Sequence, residues 1–210
     1  MSINVLIADD HAVVREGLKM ILDKQRDITV TGLASDGREV IALSGERPCD
    51  VVIMDIAMSG LNGIEATRTI CEKLPEVKVV ILTMHDSSEH VYRAFQAGSC
   101  GYLLKGVSGE EVIKAVHAVM QGDIYVGKGI EFPTRDLSRT KSPIDSLSKR
   151  EREVLQLTSE GKSGQEIAEI LGLANNTPFV YLGRIMKKLG IDTTAALVKF
   201  AIHHGITSVE

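Results

Sequence analysis

The chain has 210 residues, 44% of them apolar and 25% charged, enough for one large domain or two modest ones, each with a buried core. No apolar run reaches the roughly 18 residues of a membrane-spanning helix. Met1–Val5 lacks the basic stretch and apolar core of a signal peptide, so a cytoplasmic protein with no membrane partner is expected. The net charge of −4 does not advertise nucleic acid. Residues 1–142 hold 16 Lys/Arg and 20 Asp/Glu, whereas residues 143–210 hold 8 of each, so neither part shows the basic excess usual in a DNA-binding domain. Cys49, Cys71 and Cys100 are odd in number and form no Cys-x-x-Cys pair, which reads as reduced thiols rather than a metal or disulfide framework.

In chain order, the apolar run Ile3–Ala8 ends in Asp9 and Asp10, and Val13, Val14, Leu18, Ile21 and Leu22 then recur at helical spacing. Ile28–Leu33 alternates as a strand, followed by a helix near Gly37–Gly45. Val51–Met54 and Val77–Leu82 are β-branched runs of the kind buried in parallel sheets, with helical patterns after them near Ile64–Leu74 and Ser88–Ala97. A short strand at Gly101–Leu104 precedes a helix from about Gly109 to Gln121. Five such units predict a (βα)5 doubly wound parallel sheet over residues 1–122, with helices on both faces.

From residue 123 to 143 glycine, proline and polar residues break the pattern and predict a linker. Residues 144–210 then read as a small all-α domain of four helices. Ser148 with Glu151 and Ser163 with Glu166 are capping boxes opening Lys149–Glu160 and a short helix to Leu171. A third helix ends near Leu189 before Gly190, and a fourth spans Thr194–His203. On the fourth, Leu197, Val198 and Ala201 suit either a dimer surface or plain core packing.

Function in a parallel sheet gathers at the carboxyl ends of the strands. Asp9, Asp10, Asp55, Thr83 and Lys105 all fall there. Crowded carboxylates need a cation, and Mg2+ suits oxygen ligands. A lysine ammonium and a threonine hydroxyl can meet phosphoryl oxygens, so the cluster could accept a phosphoryl group on a carboxylate. The motifs Ile7-Ala8-Asp9-Asp10-His11, Met54-Asp55-Ile56, Gly60–Glu65, Leu82–Asp86 and Ala97–Lys105 resemble the receiver domains of two-component systems. The resemblance implies that Asp55 takes a phosphoryl group from a sensor histidine kinase. It implies that Asp10, Asp55 and the backbone carbonyl of Ala57 hold Mg2+, organised by Asp9, and that Thr83 and Tyr102 form the switch. Ser59 stands where the family usually has proline. Ala57 offers no side chain to orient attacking water, whereas His85 could, which suggests an acyl phosphate of intermediate lifetime. His11, His90 and His117 read as ordinary surface or helix histidines. An aspartyl-phosphate phosphatase would need a proton-shuttling acid near Asp55, where Ile56 and Ala57 stand instead. The expectation is therefore no enzyme, with at most slow self-dephosphorylation.

Leu147–Leu157, Glu160–Ser163, Glu166–Ala168, Leu171–Leu173, Arg184–Ile191 and Ala195–Val198 resemble the LuxR-type helix-turn-helix domains of NarL/FixJ-class regulators. That resemblance implies double-stranded DNA as a partner and a homodimer on phosphorylation. The departures fall on the recognition helix. Ala174 stands where a serine-like cap is usual, Thr177-Pro178-Phe179 replaces Thr-Val-Lys, and Tyr181 replaces a common histidine. Pro178 favours a late start, with Thr177 capping and Pro178 the first helical residue. Asn175, Asn176, Thr177 and Tyr181 remain as possible base contacts, with Arg184, Lys187 and Lys188 as phosphate contacts. The alternative is a phosphorylation-switched regulator acting through protein contacts, with DNA binding weakened or lost because of Pro178 and Phe179.

Overall fold

A computed structural model describes residues 2–131 and 142–207. The chain divides into two compact units, Met1–Thr134 and Arg135–Glu210. The first alternates β1 (Ile3–Ala8), α1 (Ala12–Leu22), β2 (Ile28–Ala34), α2 (Gly37–Glu46), β3 (Val51–Met54), α3 (Gly63–Lys73), β4 (Lys78–Thr83), α4 (Ser88–Gln96), β5 (Gly101–Leu104), α5 (Gly109–Met120) and β6 (Tyr125–Val126). All pairings are parallel, in the order β2-β1-β3-β4-β5-β6. The two-residue side-chain period splits the core by faces. Leu6, Ala8, Val52, Met54 and Ile81 pack in one cluster, and Val5, Ile7, Val51, Ile53, Val80 and Leu82 in the other. Helices open on side-chain caps from Asp36, Asn62, Ser87 and Ser108, each satisfying an orphan backbone N–H.

The five expected βα units are present, and β6 is an addition. Tyr125 N donates to Cys100 O (3.0 Å) and Gly127 N to Tyr102 O (2.9 Å), so the sheet extends into the segment read as linker. Two residues are too few to show a period, but they cover the open edge of β5. Residues 132–141 of that segment lie outside the described residues. Among the described residues, no helix is long and apolar enough to cross a membrane.

The second unit has a 3-10 turn (Pro143–Ser146), α6 (Lys149–Ser159), α7 (Gly164–Leu171), α8 (Thr177–Leu189) and α9 (Thr194–His203). Both expected capping boxes form, and Gly172 and Gly190 end α7 and α8 in the left-handed region that glycine adopts without strain. Leu197 and Ala201 are buried with Val154, Leu155 and Ile185 and so pack in the core, with Val198 half-buried beside them. Helix α8 begins one residue before its expected start. Asn176 takes the N-cap position with helical backbone angles and no side-chain cap bond, and Thr177 is already helical. A turn bond from Thr177 N to Ala174 O (2.8 Å) leads the chain in, so no hydroxyl cap is needed.

Candidate functional site

Register assembles the acidic cluster. Ala8 lies opposite Met54 in the β1–β3 ladder, and Asp55 N donates to Ala8 O (2.8 Å), so Asp9 and Asp55 leave the sheet side by side. This is the point where strand order reverses, the usual crevice of such sheets. On the other side, Lys105 N donates to Thr83 O (2.7 Å), which brings the lysine over the same crevice. Its ammonium bonds Asp55 Oδ2 at 2.6 Å and Asp9 Oδ2 at 2.8 Å, and both carboxylates are only 2% exposed. Thr83 is fully buried.

Burial pushes the Asp55 carboxyl above its ordinary value; Lys105 opposes this, while the Asp9 charge adds to it. Burial alone would lower the Lys105 ammonium, but its bonds to Asp55 and Asp9 outweigh that and hold it above its ordinary value. The lysine is thus a fixed cation between two acids.

Ligand atoms of Asp9, Asp10, His11 and Asp55 lie within 4.8 Å of one another. Asp55 Oδ1 is buried with no hydrogen-bond partner among the described residues. A buried, unpartnered carboxylate oxygen beside two further carboxylates fits a hard divalent cation. His11 is exposed, as expected of a surface histidine, but its Nδ1 lies 3.2 Å from Asp9 and 2.7 Å from Asp10. Its adjacency to the two aspartates was the available signal. The ring of Tyr102 is fully buried, and its hydroxyl donates to His85 O (2.8 Å), linking β5 to the loop after Thr83. His85 stacks on His90, with ring centroids 4.5 Å apart, and burial holds its imidazole below the ordinary value.

In the second unit, Asn175 and Asn176 are exposed in the turn before α8, and Thr177 is half-buried at its start. Pro178 is buried. Tyr181 packs against the core, with the Arg184 guanidinium 5.9 Å above its ring, and Arg184 and Lys187 are exposed. Lys188 is not a free cation, because it bonds Glu151 at 2.7 Å and Ser146 O at 3.2 Å. Sequence spacing could not show this, since the partners lie 37 and 42 positions away. Nor did it single out Val180, which is 52% exposed beside the 62% exposed Phe179.

Glu151 therefore has two duties, capping α6 through Ser148 N (2.7 Å) and anchoring α8 through Lys188. Burial would raise its carboxyl, but the hydrogen bonds from Lys188 and Ser148 prevail and hold it below its ordinary value. Such a group adds stability above its unfolded value, and that stability is lost as pH falls through the lower folded one. Glu151→Ala is expected to cost this unit about 2–3 kcal/mol at neutral pH. The difference from the native chain should shrink in acid. Hydrogen exchange of α6 and α8 amides in the whole chain reads it out, and an unchanged gap at acid pH would refute the ionic part.

Residues 5–117 match the response regulator receiver domain, and residues 145–201 the luxR family of bacterial regulatory proteins. The chain is 38% identical to the transcriptional regulatory protein MctR of Rhizobium johnstonii over 206 residues, covering 98% of this chain and 96% of that one. It is 36% identical to the response regulator UvrY of Escherichia coli, covering 99% and 97%. Its fold is similar to RcsB from Salmonella enterica serovar Typhimurium bound to a promoter in the presence of the phosphomimetic BeF3−, at 26% identity and a TM-score of 0.65, covering 95% of this chain and 98% of that one. A buried acid–lysine cluster at the receiver's switch point, followed by a helix-turn-helix unit, thus coincides with full-length similarity, and the chain belongs to the response regulators that join a receiver domain to a LuxR-type DNA-binding domain.

Proposed function

We propose that Asp55 is the phospho-acceptor of a cytoplasmic regulator and that its phosphorylation by a sensor histidine kinase promotes a homodimer that binds two-fold-related sites on double-stranded DNA. The observation that carries this reading is the placement of Asp55, buried against Lys105 with one oxygen unpartnered, at the mouth of the switch-point crevice. In the transfer, an Asp55 oxygen attacks the phosphorus of a phosphohistidine. The P–N bond breaks, and its electron pair stays on the imidazole. Lys105 and the Thr83 hydroxyl meet phosphoryl oxygens. Asp10, Asp55 and the Ala57 carbonyl, organised by Asp9, would hold Mg2+, which supplies positive charge against the incoming oxygens.

Movement of Thr83 toward the phosphoryl group would be sensed through Tyr102, whose hydroxyl hangs on the carbonyl of His85. The acyl phosphate would hydrolyse slowly, because Ala57 offers attacking water no partner and His85 could orient it, and no outside substrate would be turned over, because Ile56 and Ala57 supply no proton-shuttling acid. Proposed functional boundaries are 1–122 for the receiver, to which β6 (Tyr125–Val126) adds an edge strand, the remainder of 123–143 for the linker and 144–210 for the DNA-binding domain. Asn175, Asn176 and Thr177 would face bases, with Arg184 and Lys187 on phosphates, while Tyr181, packed against the core, would support Arg184. Lys188 would act by fixing the pitch of α8 through Glu151.

The test is selection of duplexes from a random library by the whole chain, with and without beryllofluoride, across a salt series. A two-fold motif bound at least tenfold more tightly with beryllofluoride, and no such gain in Asp55→Asn, is the expected result. Equal, sequence-indifferent binding in every arm would reject it.

A further inference from the structure

The exposed face of α8 is unusual in two ways that its own domain does not explain. Its first turns present Phe179 and Val180 to solvent, 62% and 52% exposed. The helix opposes these with buried Pro178 and Ile185, so Phe179, Val180, Gly183, Arg184 and Lys187 share the outer side. Gly183 stands at the centre of this face, in mid-helix, where glycine is a poorer helix former than alanine. A Cβ there would meet nothing within 4 Å, so packing gives no reason for glycine. The ring of Phe179 is seated rather than loose. It lies over Gly164 at the start of α7, where an added Cβ would come within 2.7 Å of it, and its other side faces out.

We infer that α8 reads thymine, with the Phe179 ring and Val180 methyls covering thymine 5-methyl groups in the major groove while Gly183 lets the helix backbone approach the base edges. This rests on the proposed DNA-binding function and deepens it. Thymine is the base that offers an apolar group on its major-groove edge, and phenylalanine and other apolar side chains are suited to it. Charge selects nucleic acid over a protein partner, because no acidic residue occurs between Glu169 and Asp192, and Arg184 and Lys187 flank the apolar patch. The cations would fix the helix on phosphates, and the apolar pair would then supply the sequence discrimination that phosphate contacts lack.

The test uses the whole chain with beryllofluoride and the duplex it selects. Thymines in each half-site are replaced singly by deoxyuridine, which removes only the 5-methyl, and binding is followed by fluorescence anisotropy. At one or two positions per half-site the loss should be about fourfold for each methyl no longer buried. That loss should vanish in Phe179→Ala or Val180→Ala. Gly183→Ala should bind the selected duplex more weakly while melting no lower than the native chain. A selected duplex indifferent to deoxyuridine at every position overturns the thymine reading and leaves DNA binding standing. Failure to select any duplex overturns both and turns the apolar face into a protein contact.

Discussion

Lys105→Met should destabilise the receiver by about 3–5 kcal/mol, the usual cost of leaving buried charge without its partner. Asp9 and Asp55 are each 2% exposed, and the lysine bonds both, so its removal leaves two neighbouring carboxylates in a poorly hydrated crevice. Methionine keeps most of the stem volume, so packing changes little and the effect isolates the charge. Urea unfolding followed by circular dichroism gives the number. Added Mg2+ should recover part of the loss, because a divalent ion neutralises the same acids. Phosphoryl uptake from a small donor should fall as well, since a cation that meets the phosphoryl oxygens is gone. A variant within 1 kcal/mol of the native chain would show that water already screens the pair, and the crevice would have to be regarded as wet.

Gly63→Ala should be about as poorly tolerated, for a steric reason. Gly63 opens α3 just behind the Asn62 cap, with its N–H donating to Ile56 O (3.0 Å). Its backbone angles are ordinary, so the demand for glycine is one of space. An added Cβ would fall inside the Asp55 carbonyl group and 2.9 Å from Met54 Cγ. The Met54 side chain could give way, but the Asp55 carbonyl is backbone and cannot yield without moving the residue proposed to carry the phosphoryl group. The cost should exceed about 3 kcal/mol, the upper end of overpacking penalties, and phosphoryl uptake should be lost. Gly45→Ala in α2 is the control. There the new methyl meets nothing, and the helix should gain about 0.5–1 kcal/mol. Circular dichroism melts of both variants decide it. Equal melting temperatures for the two would refute the assignment of Gly63 as a spacer between strand and helix.

The elements that were legible in sequence are those whose signals are local. Capping boxes at Ser148 and Ser163 need only a residue three positions on, and both form. Apolar runs ending in Asp9, Asp55 and Thr83 place these residues at strand ends whatever the strand order. Convergence of Asp9, Asp55 and Lys105 on one crevice followed from treating consecutive βα units as a doubly wound sheet. What escaped depends on distant partners or on strands too short to carry a period. Tyr125–Val126 pairs only because β5 offers a free edge. Lys188 fits a phosphate contact by sequence, but its ammonium bonds Glu151, 37 positions away. Thr177 looked like a cap because Pro178 suggests a late start, but the turn from Ala174 delivers the chain already helical.

Strand β6 has a kinetic consequence. A ladder of two residues is the part of the sheet that opens at the lowest free energy, by local fraying rather than global unfolding. Its last rung is the amide of Gly127 on the carbonyl of Tyr102, the same residue whose hydroxyl is fastened to the loop after Thr83. A shift of β5 that strains this rung therefore changes how often one identifiable N–H is released to solvent. If Tyr102 moves with the proposed switch, the deuterium uptake rate of Gly127 is expected to follow the state of the receiver, legible without any ligand or DNA present.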